Sequence, residues 1–153
     1  MRQPEDRPAT GRFAEGEHRF AVRIYYEDTD AGGVAYHANY LRFFERARTD
    51  MMALAGADLA LALADGLGGY VVARAEIDYR RPARLGDALV IVSRVAEVRS
   101  SAAVIHQRVM RDGEEIASGR VTVVFVGPDG RPRRQPASWV EAFRSIMGDG
   151  KAR

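Results

Sequence analysis

Apolar and polar residues alternate over 18–26, with Phe20, Val22, Ile24 and Tyr26 on one face and Arg19 and Arg23 on the other. A period of two predicts a half-buried strand. From Ala38 the period lengthens: Tyr40, Phe43, Phe44, Ala47, Met51 and Leu54 recur three or four residues apart, with Glu45, Arg46, Thr49 and Asp50 on the other face. That stripe predicts an amphipathic helix, which Gly56 is placed to end. Its broad aromatic face suits burial against a sheet. Residues 57–65 predict a short second helix, stopped by Gly66, Gly68 and Gly69.

Alternation then returns. Over 70–79 the pattern puts Val71, Ala73, Ala75, Ile77 and Tyr79 inward and Arg74, Glu76 and Asp78 outward. Pro82 and Gly86 lead into a strand over 88–98, and a turn near Arg99 and Ser100 leads into one over 102–111. Asp112-Gly113 marks a hairpin into the last strand, over 116–126. Beyond Gly127-Pro128-Asp129-Gly130, residues 138–147 predict a C-terminal helix with Trp139, Val140, Phe143 and Ile146 on one side. There is no internal repeat and no sign of a second domain. The order predicts an α+β fold, a five-stranded antiparallel sheet wrapped around one long central helix. Its edge strands would be left unpaired, so edge-to-edge pairing of two subunits is expected.

Composition narrows the function classes. The 153 residues suffice for one domain with a sizeable core. Residues 1–16, with Pro4, Pro8, Gly11 and Gly16, are expected to be a disordered lead-in that lacks the apolar core of a signal peptide, leaving a single domain over 17–148. No apolar run approaches the roughly 18 residues that cross a bilayer, so a cytoplasmic location is the default expectation. The chain has no cysteine, which excludes thiolate chemistry and disulfides. Lys and Arg number 23 against 21 Asp and Glu, a balance that does not point to nucleic acid. Lys151 is the only lysine. Forked guanidinium groups suit a phosphate-bearing small ligand, but for most of them a solvated Arg-rich surface from a biased coding composition is the preferred reading.

The chemistry concentrates in Tyr25-Tyr26-Glu27-Asp28-Thr29-Asp30-Ala31-Gly32-Gly33-Val34-Ala35-Tyr36-His37-Ala38-Asn39-Tyr40, directly before the long helix. A carboxylate there can attack a carbonyl or activate water, while free N–H groups at the helix start stabilise an oxyanion. Asp30 stands seven residues before His37, with Gly32 and Gly33 between them letting the backbone turn and approach a ligand. Asp28 and Asp30 could equally shape a turn through side-chain to backbone bonds. The loop lacks the ligand spacing of a calcium site. His37 could cap or pack the helix start, or face a cleft. His18 and His106 fall on strand patterns and receive no role. There is no Gly-X-Ser-X-Gly elbow and no His-Glu-X-X-His helix, so a hydrolase built on this chain must use a carboxylate.

This segment, continued by Phe44-Glu45-Arg46-Ala47-Arg48, Ile77-Asp78-Tyr79 and Pro82-Ala83-Arg84-Leu85-Gly86-Asp87, strongly resembles hotdog-fold acyl-CoA thioesterases. Within the 4-hydroxybenzoyl-CoA thioesterase group it is most similar to the branch associated with the Tol-Pal envelope system. The resemblance implies that Asp30 is the catalytic carboxylate, acting by direct attack or through water, and that the His37 main-chain N–H polarises the thioester carbonyl. The His37 ring would orient substrate or assist proton transfer. Gly33 and Tyr36 would contact substrate, and Arg99, at the turn after 88–98, would hold the nucleotide phosphates, with Arg81 and Arg84 as further candidates. The resemblance implies no metal and no redox cofactor, with coenzyme A entering as part of the substrate. It implies acyl-CoA or acyl carrier protein as partner, a homodimer or dimer of dimers, and peripheral association with envelope proteins. A hotdog dehydratase and a non-catalytic acyl-thioester-binding scaffold are the competing readings. The acyl preference is left open.

Overall fold

The computed structural model describes residues 6–147. The elements in chain order are strands β1 (Arg12–Ala14) and β2 (Glu17–Arg23), helix α1 (Asn39–Leu54) and the short helix α2 (Leu59–Ala64), then strands β3 (Gly69–Tyr79), β4 (Ala88–Val98), β5 (Ala102–Arg111) and β6 (Glu114–Val126), and helix α3 (Ala137–Ile146). The strands form one antiparallel sheet in the order β1-β2-β4-β5-β6-β3. The first strand of the meander thus crosses to the far edge, beside the last.

Helix α1 lies against the inner face of this sheet. Its Tyr40, Phe43, Phe44, Ala47, Met51 and Met52 are buried among Leu89 and Ile91 of β4, Ile105 and Val109 of β5, and Val121 and Val123 of β6. This is the expected α+β hotdog arrangement of a sheet wrapped around a helix. Leu54 departs from the stripe and is exposed, because the helix ends there beyond the edge of the core.

Three expectations need correction. The sheet has six strands, not five. The extra strand is β1, inside the segment expected to be disordered; residues 1–5 of that lead-in lie outside the described residues. A Glu15-Gly16 turn with positive φ at both residues folds β1 back onto β2, pairing Arg12 with Arg19 and Phe13 with His18. The Gly11 N–H donates to Asp50 Oδ2 on α1 (2.9 Å), and the Phe13 ring meets the His18 ring edge-on at 5.4 Å. Finally, Ala75, Ile77 and Tyr79 of β3 keep to the inner face beside Val121, Gly119 and Ala117, but Ala75 and Tyr79 are left exposed, as are Val72 and Ala73, and Val71, paired with Val124, falls on the outer face. β3 is an edge strand, and α1 covers it only in part, the Tyr40 ring meeting Tyr79. A β-bulge between Val72 and Arg74 also shifts the alternation.

Candidate active site

The segment between β2 and α1 is fixed at both ends before any chemistry is considered. Ile24 is buried and donates its N–H to the Asp87 carbonyl (2.9 Å), and Ala35 donates to the Ala83 carbonyl (2.8 Å). Val34 forms a bridge with Arg84. The β3–β4 connection therefore serves as a seat for the loop. Asp87 keeps that seat in order: Oδ2 accepts from the Arg84 N–H (2.8 Å) and from Arg111 (2.9 Å). The Arg84 N–H and the Arg111 side chain hold its carboxyl below its ordinary pKa.

The two aspartates do different things. Asp28 closes a 3-10 turn over Tyr26–Asp28, its Oδ2 accepting from the Tyr25 N–H (2.8 Å). Its main-chain oxygen accepts from the Tyr36 N–H and from Asn39 Nδ2, both at 2.8 Å, which ties the loop to the first turn of α1. Asp28 is thus a turn-shaping residue. Asp30 stands at the mouth of a tight turn in which its N–H donates to the Val34 carbonyl (2.9 Å) and its carbonyl accepts from Gly33 (3.0 Å). The Gly32 N–H holds Asp30 Oδ1 at 2.8 Å. Among the described residues nothing occupies Oδ2, and the residue is exposed. One oxygen is anchored and the other is presented, which suits a nucleophile or a general base.

Gly33 has φ +78°, in the left-handed region, with open space where a Cβ would stand. Gly33→Ala is therefore strained rather than clashing. We expect it to lower stability by about 1 kcal/mol, read as a shifted midpoint in urea unfolding, while retaining most turnover.

Helix α1 starts without a side-chain cap. Among the described residues the His37 and Ala38 N–H groups have no acceptor, while the Asn39 and Tyr40 N–H groups bond to the Tyr36 and His37 carbonyls (2.9 and 3.3 Å). The His37 carbonyl is also held by the Tyr79 hydroxyl at 2.7 Å. The Tyr79 ring stands edge-on to both His37 (6.3 Å) and Tyr40 (5.1 Å), and the Tyr36 ring lies 4.4 Å from the His37 ring. Burial raises the Tyr79 pKa, keeping the hydroxyl a donor at neutral pH. The uncapped end of a helix next to a poised carboxylate is a place where negative charge on an oxygen is stabilised. Pattern reading missed Tyr79 and Asn39. Asn39 sits at the expected helix start and could have been noticed, but Tyr79 arrives from 42 residues away.

Asp30, Gly33, Tyr36 and His37 thus share one end of the molecule. Arg99 does not join them. It donates to Glu97 through Nε (2.8 Å) and Nη2 (3.0 Å), and this pairing raises its pKa. It lines a groove of about 430 Å³ with Arg74, Glu76, Arg120 and Thr122. The sheet register aligns Val71 with Val124 and Ala102, next to Arg99, and Tyr79 with Ala117 and Val109. The Arg99 turn therefore lies toward the Val71 end of β3 and the His37 helix start toward the Tyr79 end, two levels about 26 Å apart along the strand. Of the other arginines, Arg84 borders the Asp30 loop, and Arg81 pairs with Glu114 at 2.7 Å. Among the described residues no cluster of three or more His, Asp or Glu is arranged to hold a metal, and no helix is long and apolar enough to cross a membrane.

Comparison with known proteins places this geometry in a family. The chain is 39% identical over 128 residues to the acyl-CoA thioester hydrolase YbgC of Escherichia coli, covering 82% of this chain and 95% of that one. It is 42% identical over 107 residues to the acyl-CoA thioesterase YbgC of Haemophilus influenzae, covering 70% and 79%. A Thermus thermophilus thioesterase crystallised with coenzyme A and zinc superposes with a TM-score of 0.74 at 30% identity, covering 85% of this chain and 93% of that one. A profile described as the thioesterase-like superfamily matches residues 24–146, which spans the Asp30 loop, α1 and the whole meander. With the hotdog sheet and helix in place and most of its length matched, the chain belongs to the thioesterase-like superfamily.

Proposed function

We propose that the protein hydrolyses acyl-CoA thioesters to the free acid and coenzyme A, with Asp30 as its working carboxylate. The observation that carries this reading is the half-anchored carboxylate: Oδ1 is fixed by Gly32, while among the described residues Oδ2 and the His37 N–H at the start of α1 have no partner. A thioester carbonyl seated between them would have its oxygen on the helix start and its carbon within reach of Oδ2 or of a water held by it. As the carbonyl becomes tetrahedral, charge moves onto the oxygen, where the N–H and the helix dipole stabilise it. The thiolate is a good leaving group and needs no strong acid. The exposed His37 ring is available to receive or return a proton, and Tyr36 flanks it.

The working unit in this reading is a dimer. β3 is an edge strand of 11 residues with exposed Val71, Val72 and Tyr79, continuous with exposed Leu61, Leu63 and Leu67 around α2. Two identical edges related by a two-fold axis pair antiparallel, which covers both. That pairing brings the Arg99 end of one copy to the Asp30 end of the other, so a nucleotide held by one subunit's arginines would reach the partner's carboxylate. A dimer of dimers, an acyl carrier protein in place of coenzyme A, and a link to the Tol-Pal envelope system belong to the same reading. The sequence resemblance is what supports them.

Thiol release from short, aromatic and long acyl-CoAs, with acyl carrier protein thioesters alongside, tests the function. Hydrolysis of at least part of the panel is expected. A trans-enoyl product from a 3-hydroxyacyl thioester, without thiol release, would instead mean a dehydratase. Sedimentation tests the dimer: Val72→Asp, which puts a carboxylate on the edge strand, should weaken association at least tenfold and lower turnover with it. Unchanged sedimentation would place the interface elsewhere.

A further inference from the structure

Arg48 is a charged side chain in the core. It is 6% exposed, on the face of α1 that meets the sheet. Its Nη1 donates to Gln107 Oε1 (2.9 Å), while Gln107 Nε2 donates to the Phe44 carbonyl and to Ser93 Oγ, both at 2.9 Å. Among the described residues no carboxylate lies within ion-pair distance of Arg48, and nothing accepts from its Nε or Nη2. Burial lowers the pKa of this guanidinium, opposed by the charge of Glu45. Nε and Nη2 are not among the sealed-off polar atoms without a partner, so they open onto the space beside the helix, where a ligand oxygen could accept from them.

The space beside it suits one. Arg48 lines a cavity of about 220 Å³ between α1, α2 and the start of β3, with walls that include Met52, Leu63, Tyr70 and Val72. The Tyr70 hydroxyl is turned away to Gln135 Oε1 (2.5 Å), so its ring faces this region without a free polar tip. Glu45, exposed on α1, is the other charged group at the cavity. The volume is small for a ligand site, where about 300–1,000 Å³ is usual, so it fits a short group rather than a long chain.

We propose that this cavity receives the distal end of the acyl group and that Arg48 selects acyl groups carrying an oxygen acceptor there. The proposal rests on the thioesterase reading and on the edge-to-edge dimer. Val72, at the cavity, and Tyr79, at the Asp30 end, are about 23 Å apart along β3, too far for one short acyl group in a single chain. Antiparallel pairing of two β3 strands sets one copy's cavity end beside the partner's Asp30 end. The acyl group attacked at one subunit's Asp30 thus points toward the other subunit's Arg48. Hydroxyl and carboxylate oxygens both match the guanidinium, and Glu45 disfavours the charged one.

The test measures kcat/KM on chain-matched acyl-CoAs of roughly four to six carbons ending in methyl, hydroxyl or carboxylate. Wild type, Arg48→Met and Arg48→Lys are compared. Wild type should favour at least one oxygen-ended substrate over the methyl-ended one by about tenfold or more, since a buried donor left unpaired penalises the wrong ligand. That ratio should collapse toward one in Arg48→Met and be partly kept in Arg48→Lys. A wild-type ratio within about twofold of one, or an equal loss on all three substrates in Arg48→Met, overturns the proposal while thiol release itself leaves the thioesterase reading standing. If Arg48→Met does not fold, the wild-type ranking and Arg48→Lys decide. If wild type releases no thiol from any substrate, the thioesterase reading fails and this proposal fails with it.

Discussion

Asp30→Asn should lower kcat for thioester hydrolysis by at least about 100-fold while leaving acyl-CoA affinity nearly intact. The substitution preserves shape, and the amide oxygen can still accept the Gly32 N–H that now holds Oδ1 at 2.8 Å. The turn also keeps its main-chain bonds, from Asp30 to Val34 and from Gly33 to Asp30. What disappears is the negative charge and basicity of the presented oxygen. Because that oxygen has no partner among the described residues, removing its charge breaks no structural contact. The loss should fall on kcat, the signature of a group that acts in the transition state.

The second large effect concerns the seating of α1. Phe44 is 0% exposed, and its ring packs so closely under β6 that a Cβ added at Gly119 would come within 2.5 Å of its Cε2. Its main-chain oxygen accepts from the buried Gln107 side chain at 2.9 Å. Phe44→Ala should cost about 3–5 kcal/mol, the lost burial plus the cavity left behind. For a domain of this size that is a fall in melting temperature on the order of 10 °C, measurable by calorimetry. Gly119→Val tests the same contact from the other side, by overpacking, and should destabilise by about 1–3 kcal/mol. A Phe44→Ala protein as stable as wild type would mean that α1 is held mainly by other contacts.

How much of this could be read from the chain depended on the range of the interactions. The long helix, the four-strand meander and the Asp112-Gly113 hairpin are local, and hydrophobic period and turn chemistry found them. β1 was missed because three residues are too few to show a period, and the Glu15-Gly16 turn before β2 went unweighed. The exposure of β3 was not foreseen because alternation reports which residues share a face, not whether anything covers it, and the bulge after Val72 turned Val71 to the other face. The loop motif set Asp30 and His37 in one segment, and the resemblance singled out Asp30; the geometry adds a physical difference between the aspartates, with Asp28 spent on the turn and one Asp30 oxygen left available. Arg99 was grouped with them by resemblance, yet within one chain it lies at the other end of β3. The His18–Asp50 contact at 2.6 Å, the Tyr79 bond to His37 and the Gln107 bond to Arg48 join residues 32 or more apart, which no local pattern records. Arg48 was passed over because a charged residue in an amphipathic helix is ordinarily assigned to the solvent face.

Whether Asp30 performs the hydrolysis is decided by a paired measurement on one acyl-CoA that wild type turns over: thiol release by Asp30→Asn at saturating substrate, with affinity measured by calorimetry on the same sample. Binding should stay close to wild type while thiol release falls at least about 100-fold. Thiol release by Asp30→Asn at the wild-type rate would contradict it, because the carboxylate before α1 would then not be the group that performs the hydrolysis.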